Sequence, residues 1–248
     1  MKDTSTSGGL WGSVSRGSDT FGPKSLKDMP EGVRLYFQHS ILPGTVLARG
    51  VRLRMHGEID LSGWLPFRAE QVILGRGEMV WAATVRRMGI PVKGYDRLLD
   101  GKGELDWKVL GVIPVMRASG SDVTRSAAGR VKAEMLWLPS AFLQSGARIS
   151  QEDPGHITID LSLHGDDSPV TIEIDSEGRP VSLRMKRWGN PLGEGYGLHD
   201  FGAFMEDEKT FGGYTIPSKL RVGWFFGTDR FEREGQFFRV TIDEATFR

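Results

Sequence analysis

The sequence predicts a mainly β protein with a few helices, in which a curved antiparallel sheet forms a half-barrel or open barrel and a helix covers its concave face. Beyond residue 45, apolar and polar residues alternate in most stretches, which is the pattern of strands with one buried face. The turns between these stretches are short, and short turns join antiparallel strands only. One long stretch, residues 121–143, has helical spacing instead.

A short helix precedes the strands. It is predicted over residues 28–41, where Val33, Tyr36 and Phe37 fall on one side and Pro43 follows the end. Strand periodicity then takes over. The strand-like stretches of the first group are VRLRMHGEI, WLPFRAEQVIL, EMVWAATVRR, VKGYDRLLD and ELDWKVLGVIPVM.

The middle helix is predicted to begin at Ser121 or Asp122 and to stop at Pro139. Gly129 within it costs about 1 kcal/mol relative to alanine. Close approach of the helix to a sheet would offset that loss. The apolar positions of this helix, spaced by three, four and three, are Ala128, Val131, Met135 and Leu138.

The second half of the chain has the most regular alternation. Residues 156–185 contain three alternating stretches separated by the turns GDDS and SEGR, which predicts a meander with one apolar and one solvated face. Two more strands are predicted within residues 197–231, and QFFRVTIDEATF forms a last one. The total is about ten or eleven strands. One sheet is favoured, and two domains joined near residue 150 are the alternative.

Residues 1–27 are rich in Gly, Ser and Thr and contain few apolar side chains. Burial of so few side chains cannot offset the entropy lost on ordering such a segment. We therefore divide the chain into a tail, residues 1–27, and a single β-rich domain, residues 28–248. Trp11 is the expected anchor if the tail lies against the domain.

Composition and motifs exclude several classes of function. Lys plus Arg equals Asp plus Glu, at 32 each, so no global charge favours nucleic acid, although local patches remain possible. The absence of cysteine excludes disulfides and thiolate chemistry. Nucleotide-binding loops, metal-binding histidine spacings, a signal peptide and a membrane-spanning stretch are not found either. We expect a cytoplasmic protein without cofactor or metal, and the oligomeric state stays open.

Aromatic residues are spread across the predicted sheet and helix. In a closed sandwich they would form the core, whereas in an open barrel facing aromatics line a cavity for an apolar ligand. Arginines close to these stretches could hold a polar end of the ligand. The candidate ligand-binding residues are Arg68, Trp81, Trp107, Arg125, Trp137, Trp188, Tyr214, Trp224 and Phe226.

Three carboxylates are candidate acid–base groups. Asp96 lies inside an apolar strand, where an unpaired charge is costly. Asp122 is predicted as a helix cap first and as a site residue second. Glu134 forms an i,i+4 pair with Arg130, as is common on helix surfaces. Alternatively, Glu134 or Arg125 points into the mouth of a cavity, as an acid–base group or as the anchor of a ligand carboxylate.

Several motifs resemble those of a bacterial family of unknown function, namely WLPFRAEQ, RASGSDVTRSAAGRVKAEMLWLPSAF, RWGNP and TFGGYTIPSKLRVGWFFGTDRF. The resemblance runs from about Pro30 to Phe247 and implies no reaction. Many relatives begin with membrane-spanning segments, which this sequence does not contain. The meander is also similar in architecture to the half-barrel lipoprotein carriers of the LolA and LppX type, which hold acyl chains in the hollow of a curved sheet under helices.

Three hypotheses of function follow. The first is a binding module that holds a hydrophobic or amphipathic small molecule against Trp and Phe side chains, with Arg68, Arg125 or Tyr214 at its polar end. The second is an enzyme without metal or nucleotide, such as a cyclase, isomerase or hydrolase, that uses the three carboxylates named above. The third is a structural or interaction protein with a solid core.

Overall fold

The computed structural model describes residues 6–248 and confirms the predicted fold class, with thirteen strands in one antiparallel sheet. The strands are β1 (Gly50–Asp60), β2 (Trp64–Leu74), β3 (Met79–Arg87), β4 (Ile90–Leu99), β5 (Lys102–Val109), β6 (Ile113–Ser119), β7 (Arg148–Asp153), β8 (His156–Asp160), β9 (Val170–Ile174), β10 (Pro180–Gly189), β11 (Gly197–Phe211), β12 (Tyr214–Trp224) and β13 (Gln236–Phe247). The helices are α1 (Ser7–Ser13), α2 (Glu31–Ser40), α3 (Ser121–Glu134) and α4 (Ser140–Gln144).

The strand order is β6-β5-β4-β3-β2-β1-β13-β12-β11-β10-β9-β8-β7. Strands β6 and β7 therefore form two free edges, and the sheet is not closed into a barrel. Strand β13 joins the two strand groups, because it pairs with β1 on one side (Met55 opposite Ile242) and with β12 on the other (Leu220 opposite Val240). The groups on either side of residue 150 thus share one sheet.

The sheet bends around α3. This helix contacts both β5 and β10, which lie far apart in the strand order, so the two halves of the sheet approach each other across the helix. Register irregularities between Arg54 and Met55 and between Val222 and Gly223 accompany the bend. The helix covers the concave face, as the sequence predicts.

Helix α3 and the turn that follows it bury the apolar stripe that the helical spacing defines. Ala128, Val131, Met135 and Leu138 are all fully buried. The helix continues as a 3-10 turn over Met135–Trp137 and stops before Pro139, and α4 follows. This agrees with the predicted end, because proline disfavours helical conformation in the residue that precedes it.

The N-terminal segment packs against the outer face of the sheet. Leu10 and Trp11 of α1 form a small buried cluster with Val72, Leu74 and Val80. Trp11 is thus buried, as expected for the anchor of this segment. Residues 1–5 of the predicted tail lie outside the described residues. Within residues 6–248, no helix is long and apolar enough to cross a membrane.

Candidate functional site

A cavity of about 280 Å³ lies between the end of α3 and the concave face of the sheet. Strands β10 to β13 form one wall, and Leu136 and Trp137 close the opposite side. Most of the surface is apolar. The aromatic residues in the wall are Trp81, Trp137, Phe201, Trp224, Phe237 and Phe238.

Strand alternation places these side chains. In β11, Phe201, Ala203 and Met205 point toward the cavity, and the residues between them point to the convex face. Antiparallel pairing sets Phe201 opposite Trp224 and Ala203 opposite Val222. The wall is therefore continuous across β11 and β12, with the small Ala203 leaving space between larger side chains.

One charged cluster borders the cavity around Arg130. Its Nη1 donates to Asp96 Oδ2 at 2.7 Å and its Nε donates to Glu134 Oε1 at 2.7 Å. Trp107 Nε1 donates to Asp96 Oδ1 at 2.9 Å, and Gln71 Nε2 donates to Glu134 Oε2 at 2.6 Å. Burial opposes the charge on Arg130, but the two carboxylates outweigh burial and raise the Arg130 pKa. Both carboxylates are thus ion-paired and hydrogen-bonded.

Arg187 is a second cation in the cavity wall, and its environment differs. Its side chain is 8% exposed and forms no salt bridge with any carboxylate among the described residues. Nε and Nη2 donate to the Ser126 carbonyl oxygen at 3.4 and 3.3 Å, and the guanidinium lies 4.6 Å from the Phe201 ring and 5.1 Å from the Trp224 ring. Burial, together with the charge of Arg130, lowers the Arg187 pKa to about 10. Among the described residues, this buried cation therefore has no salt-bridge partner, although the more distant charges of Glu134, Asp96 and Asp166 offset part of the effect of burial.

Close contact between α3 and β10 positions Arg187. A Cβ atom at Gly129 would lie 3.3 Å from Arg187 Cγ, so glycine permits the approach that the sequence predicted. One turn on, Lys132 forms a fully buried salt bridge with Asp166. Its Nζ also donates to the carbonyl oxygen of Ser168 at 2.7 Å. These contacts fix the helix but do not border the cavity.

Five predicted site residues border the cavity. The tryptophans Trp81, Trp137 and Trp224 lie in its wall, and Asp96 and Glu134 lie in the charged cluster. Trp137 is held by a hydrogen bond of 3.0 Å from its Nε1 to a backbone carbonyl of β12. That these residues bind or convert a ligand stays a prediction.

Four predicted ligand-binding residues lie elsewhere. Tyr214 donates to the Val46 carbonyl and accepts from Ala48 N–H, so it fastens a loop. Trp107 packs behind Trp81 at 5.6 Å between ring centroids. Two others face the convex side. Arg68 is exposed beside His56. Phe226 packs on Phe204, with 4.7 Å between the ring centroids. It faces this side because Phe225 has a positive φ of 57°, which ends the alternation of β12.

The remaining three, Asp122, Arg125 and Trp188, cluster where α3 begins. Trp188 Nε1 donates to Asp122 Oδ1 at 2.9 Å, and the Arg125 guanidinium lies 4.1 Å from the Trp188 ring. Asp122 does not cap the helix, since the N-cap residue is Gly120 without a side-chain cap. The cluster joins α3 to β10 and does not border the cavity.

Arg187 is not among the candidate residues that the sequence predicts, and Arg130 is predicted in a surface pair with Glu134. A signal for Arg187 exists, because it is in phase with the buried Leu183 and Met185 on β10. An arginine at an apolar position of a strand is costly to bury and is therefore a candidate site residue.

In the part of the chain that the structure describes, no group of three or more His, Asp or Glu side chains is arranged to hold a metal ion. Comparison with curated proteins gives no match. The solved structures to which this chain is similar include the following two. A LolA superfamily protein from Nitrosomonas europaea gives a TM-score of 0.47 at 8% identity, covering 88% of this chain and 92% of that chain. A DUF1329 family protein from Desulfovibrio piger gives 0.47 at 10% identity, covering 87% and 91%.

The family model that matches extends over residues 19–233, which is most of the chain and includes the motifs quoted from the sequence. It also includes Arg130, Glu134 and Arg187. The chain therefore belongs to a family of unknown function, DUF6544.

Proposed function

We propose that this protein binds an amphipathic small molecule, with its apolar part in the cavity and an anionic group on Arg187. The observation that carries the proposal is the combination of an apolar cavity with a buried guanidinium that has no carboxylate partner in the described chain. A buried charge without a counterion is costly. A ligand carboxylate would supply the counterion and would form charge-assisted hydrogen bonds.

The size of the cavity limits the ligand. A volume of about 280 Å³ accommodates on the order of ten water-sized groups. A carboxylic acid with a short to medium apolar chain fits this volume. The chain would contact Phe201, Trp224 and Phe238, and these aromatic rings favour apolar partners over water.

The contacts of the carboxylates favour binding over the enzyme alternative. A general acid or base needs a proton that it can exchange with the substrate. Asp96 and Glu134 each accept from Arg130 and from a further donor, so their oxygens are already engaged. The third candidate, Asp122, is bound to Trp188 away from the cavity.

Titration with octanoate and with octanol tests the proposal. The two molecules have the same chain, and only octanoate carries a carboxylate. Because Trp81, Trp137 and Trp224 line the cavity, binding should change tryptophan fluorescence in a saturable manner. We expect octanoate to bind about tenfold or more tightly than octanol, since hydrogen bonds to charged groups contribute about 1.5–3 kcal/mol. The absence of saturable binding by either molecule would refute a ligand cavity.

A matched pair of variants assigns the anion to its site. Arg187→Met should reduce octanoate affinity to that of octanol. Arg184→Met lies on the same strand but is exposed on the opposite face, and it should bind octanoate normally. Equal loss in both variants would contradict the assignment. Native mass spectrometry of the purified protein would identify a carboxylic acid that is carried through purification.

A further inference from the structure

Two neighbouring hairpins present apolar side chains to solvent. We call this region the apolar tip and define it as residues 86–93 of the β3–β4 hairpin and 108–117 of the β5–β6 hairpin. The two segments are adjacent, since Leu110 N–H donates to the Pro91 carbonyl at 2.9 Å. Met88 is 90% exposed and Val112 is 72% exposed. The exposed apolar residues of the tip include Met88, Ile90, Leu110, Val112, Ile113 and Met116.

Two of these residues occupy turn positions that suit other residue types. Met88 has a φ of 47° and Leu110 a φ of 54°, in the left-handed region where glycine and asparagine are preferred. The two side chains gain little burial in the folded chain, since Met88 is 90% exposed and Leu110 is 59% exposed. Folding therefore does not account for their presence at the surface, and contact with a partner would.

The charge around the tip is of one sign. Its two segments contain no Asp or Glu, although the whole chain has equal numbers of acidic and basic residues. Among the described residues, Lys108 has a salt-bridge partner, Asp106 at 3.7 Å, and the other four basic residues have none. The basic residues are Arg86, Arg87, Lys93, Lys108 and Arg117.

We propose that the apolar tip docks on the surface of an anionic lipid bilayer. Exposed apolar side chains enter the boundary between headgroups and acyl chains, and basic side chains around them contact lipid phosphates. A second copy of the chain is a less suitable partner for the apolar tip than an anionic bilayer. A twofold interface would place the same patch on both subunits and set five positive charges against five. The proposal does not depend on the function of the cavity.

Vesicle flotation tests the docking. The protein would be mixed with phosphatidylcholine vesicles that contain or lack phosphatidylglycerol, at low and at high salt. We expect binding to the anionic vesicles at low salt, weaker binding at high salt and little binding to phosphatidylcholine alone. Absence of binding to anionic vesicles, or equal binding to both kinds, would overturn the proposal.

Variants locate the contact. Met88→Asn with Val112→Asn removes two apolar side chains, and asparagine tolerates the positive φ at residue 88. We expect this pair to lower vesicle partitioning about tenfold or more. Lys93→Ala should lower it about fivefold, because each basic residue near the surface contributes about that factor. Leu42→Asn, at an exposed leucine outside the tip, is the control and should bind as the wild type does.

Two further outcomes would contradict the proposal. Variants of the tip that bind vesicles like the wild type, with circular dichroism showing that all of them are folded, would place the contact elsewhere. A wild-type dimer in analytical ultracentrifugation that dissociates in the Met88→Asn, Val112→Asn variant would show that the tip contacts a second copy instead.

Discussion

Replacing Arg187 with methionine is expected to stabilise the ligand-free protein while it weakens carboxylate binding. Burial lowers the Arg187 pKa to about 10, well below the ordinary range of arginine. The pKa is lowered by roughly two to three pH units, each worth about 1.4 kcal/mol, so the charged side chain costs about 3–4 kcal/mol at neutral pH. Contacts with Phe201 and Trp224 recover about 2 kcal/mol. Methionine carries no charge and still packs on aromatic rings.

The expected gain is therefore about 1–2 kcal/mol in the free energy of unfolding. Urea unfolding monitored by circular dichroism measures it, as a higher midpoint with an unchanged slope. Arg184→Met, on the solvated face of β10, should change the free energy of unfolding by less than about 0.5 kcal/mol.

The pH dependence has a defined sign. The Arg187 pKa is lower in the folded than in the unfolded protein, so the cost is fully present below pH 10 and declines as the pH rises above it. The gain in Arg187→Met should thus be constant at every pH well below 10. A loss of several kcal/mol in Arg187→Met would refute the reasoning, because it would mean that the hydrogen bonds to Ser126 and the ring contacts outweigh burial of the charge.

Further predictions concern the cavity and the support of α3. Octanoate affinity should fall as the pH rises through about 10, since Arg187 then loses its charge, and calorimetric titration at several pH values measures this. Ala203→Leu should fill the cavity and lower octanoate affinity on the order of tenfold. Ala82→Leu, on the convex face, should leave octanoate affinity unchanged. Equal octanoate affinities of the two variants would argue against the cavity. Asp166→Ala should lower the free energy of unfolding by about 3–5 kcal/mol, because it leaves Lys132 charged and buried; a smaller loss in urea unfolding would contradict this.

The strand pattern was predictable because it depends on local alternation. The apolar residues of the alternating strands in the second half, such as Ile157, Ile159 and Ile172, are buried as expected. The joining of the two halves was not predictable in the same way. It depends on pairing between β1 and β13, and nothing in a local pattern specifies which distant strands become neighbours.

The candidate site was predictable only where periodicity decides the direction of a side chain. Trp224 follows the alternation of β12 and borders the cavity, whereas Phe226 comes after the positive φ of Phe225 and faces the other way. The positions of Arg130 and Arg187 at the cavity depend on how α3 crosses the sheet. The spacing of residues along one helix or strand does not show how the two cross. The cytoplasmic location and the absence of cofactor and metal stay predictions.

The central position of β13 has a consequence for how the chain folds. Arg54 and Glu244, which meet across β1 and β13, are 190 residues apart in the sequence. A contact between such distant residues closes a very large loop, so its entropic cost precedes any gain from pairing. Hairpins within each half can form early, but the pairing of β1 with β13 forms late and limits the rate of folding. Until then β1 and β13 keep unpaired edges, and in this interval the nascent protein is most prone to associate with other unfolded chains.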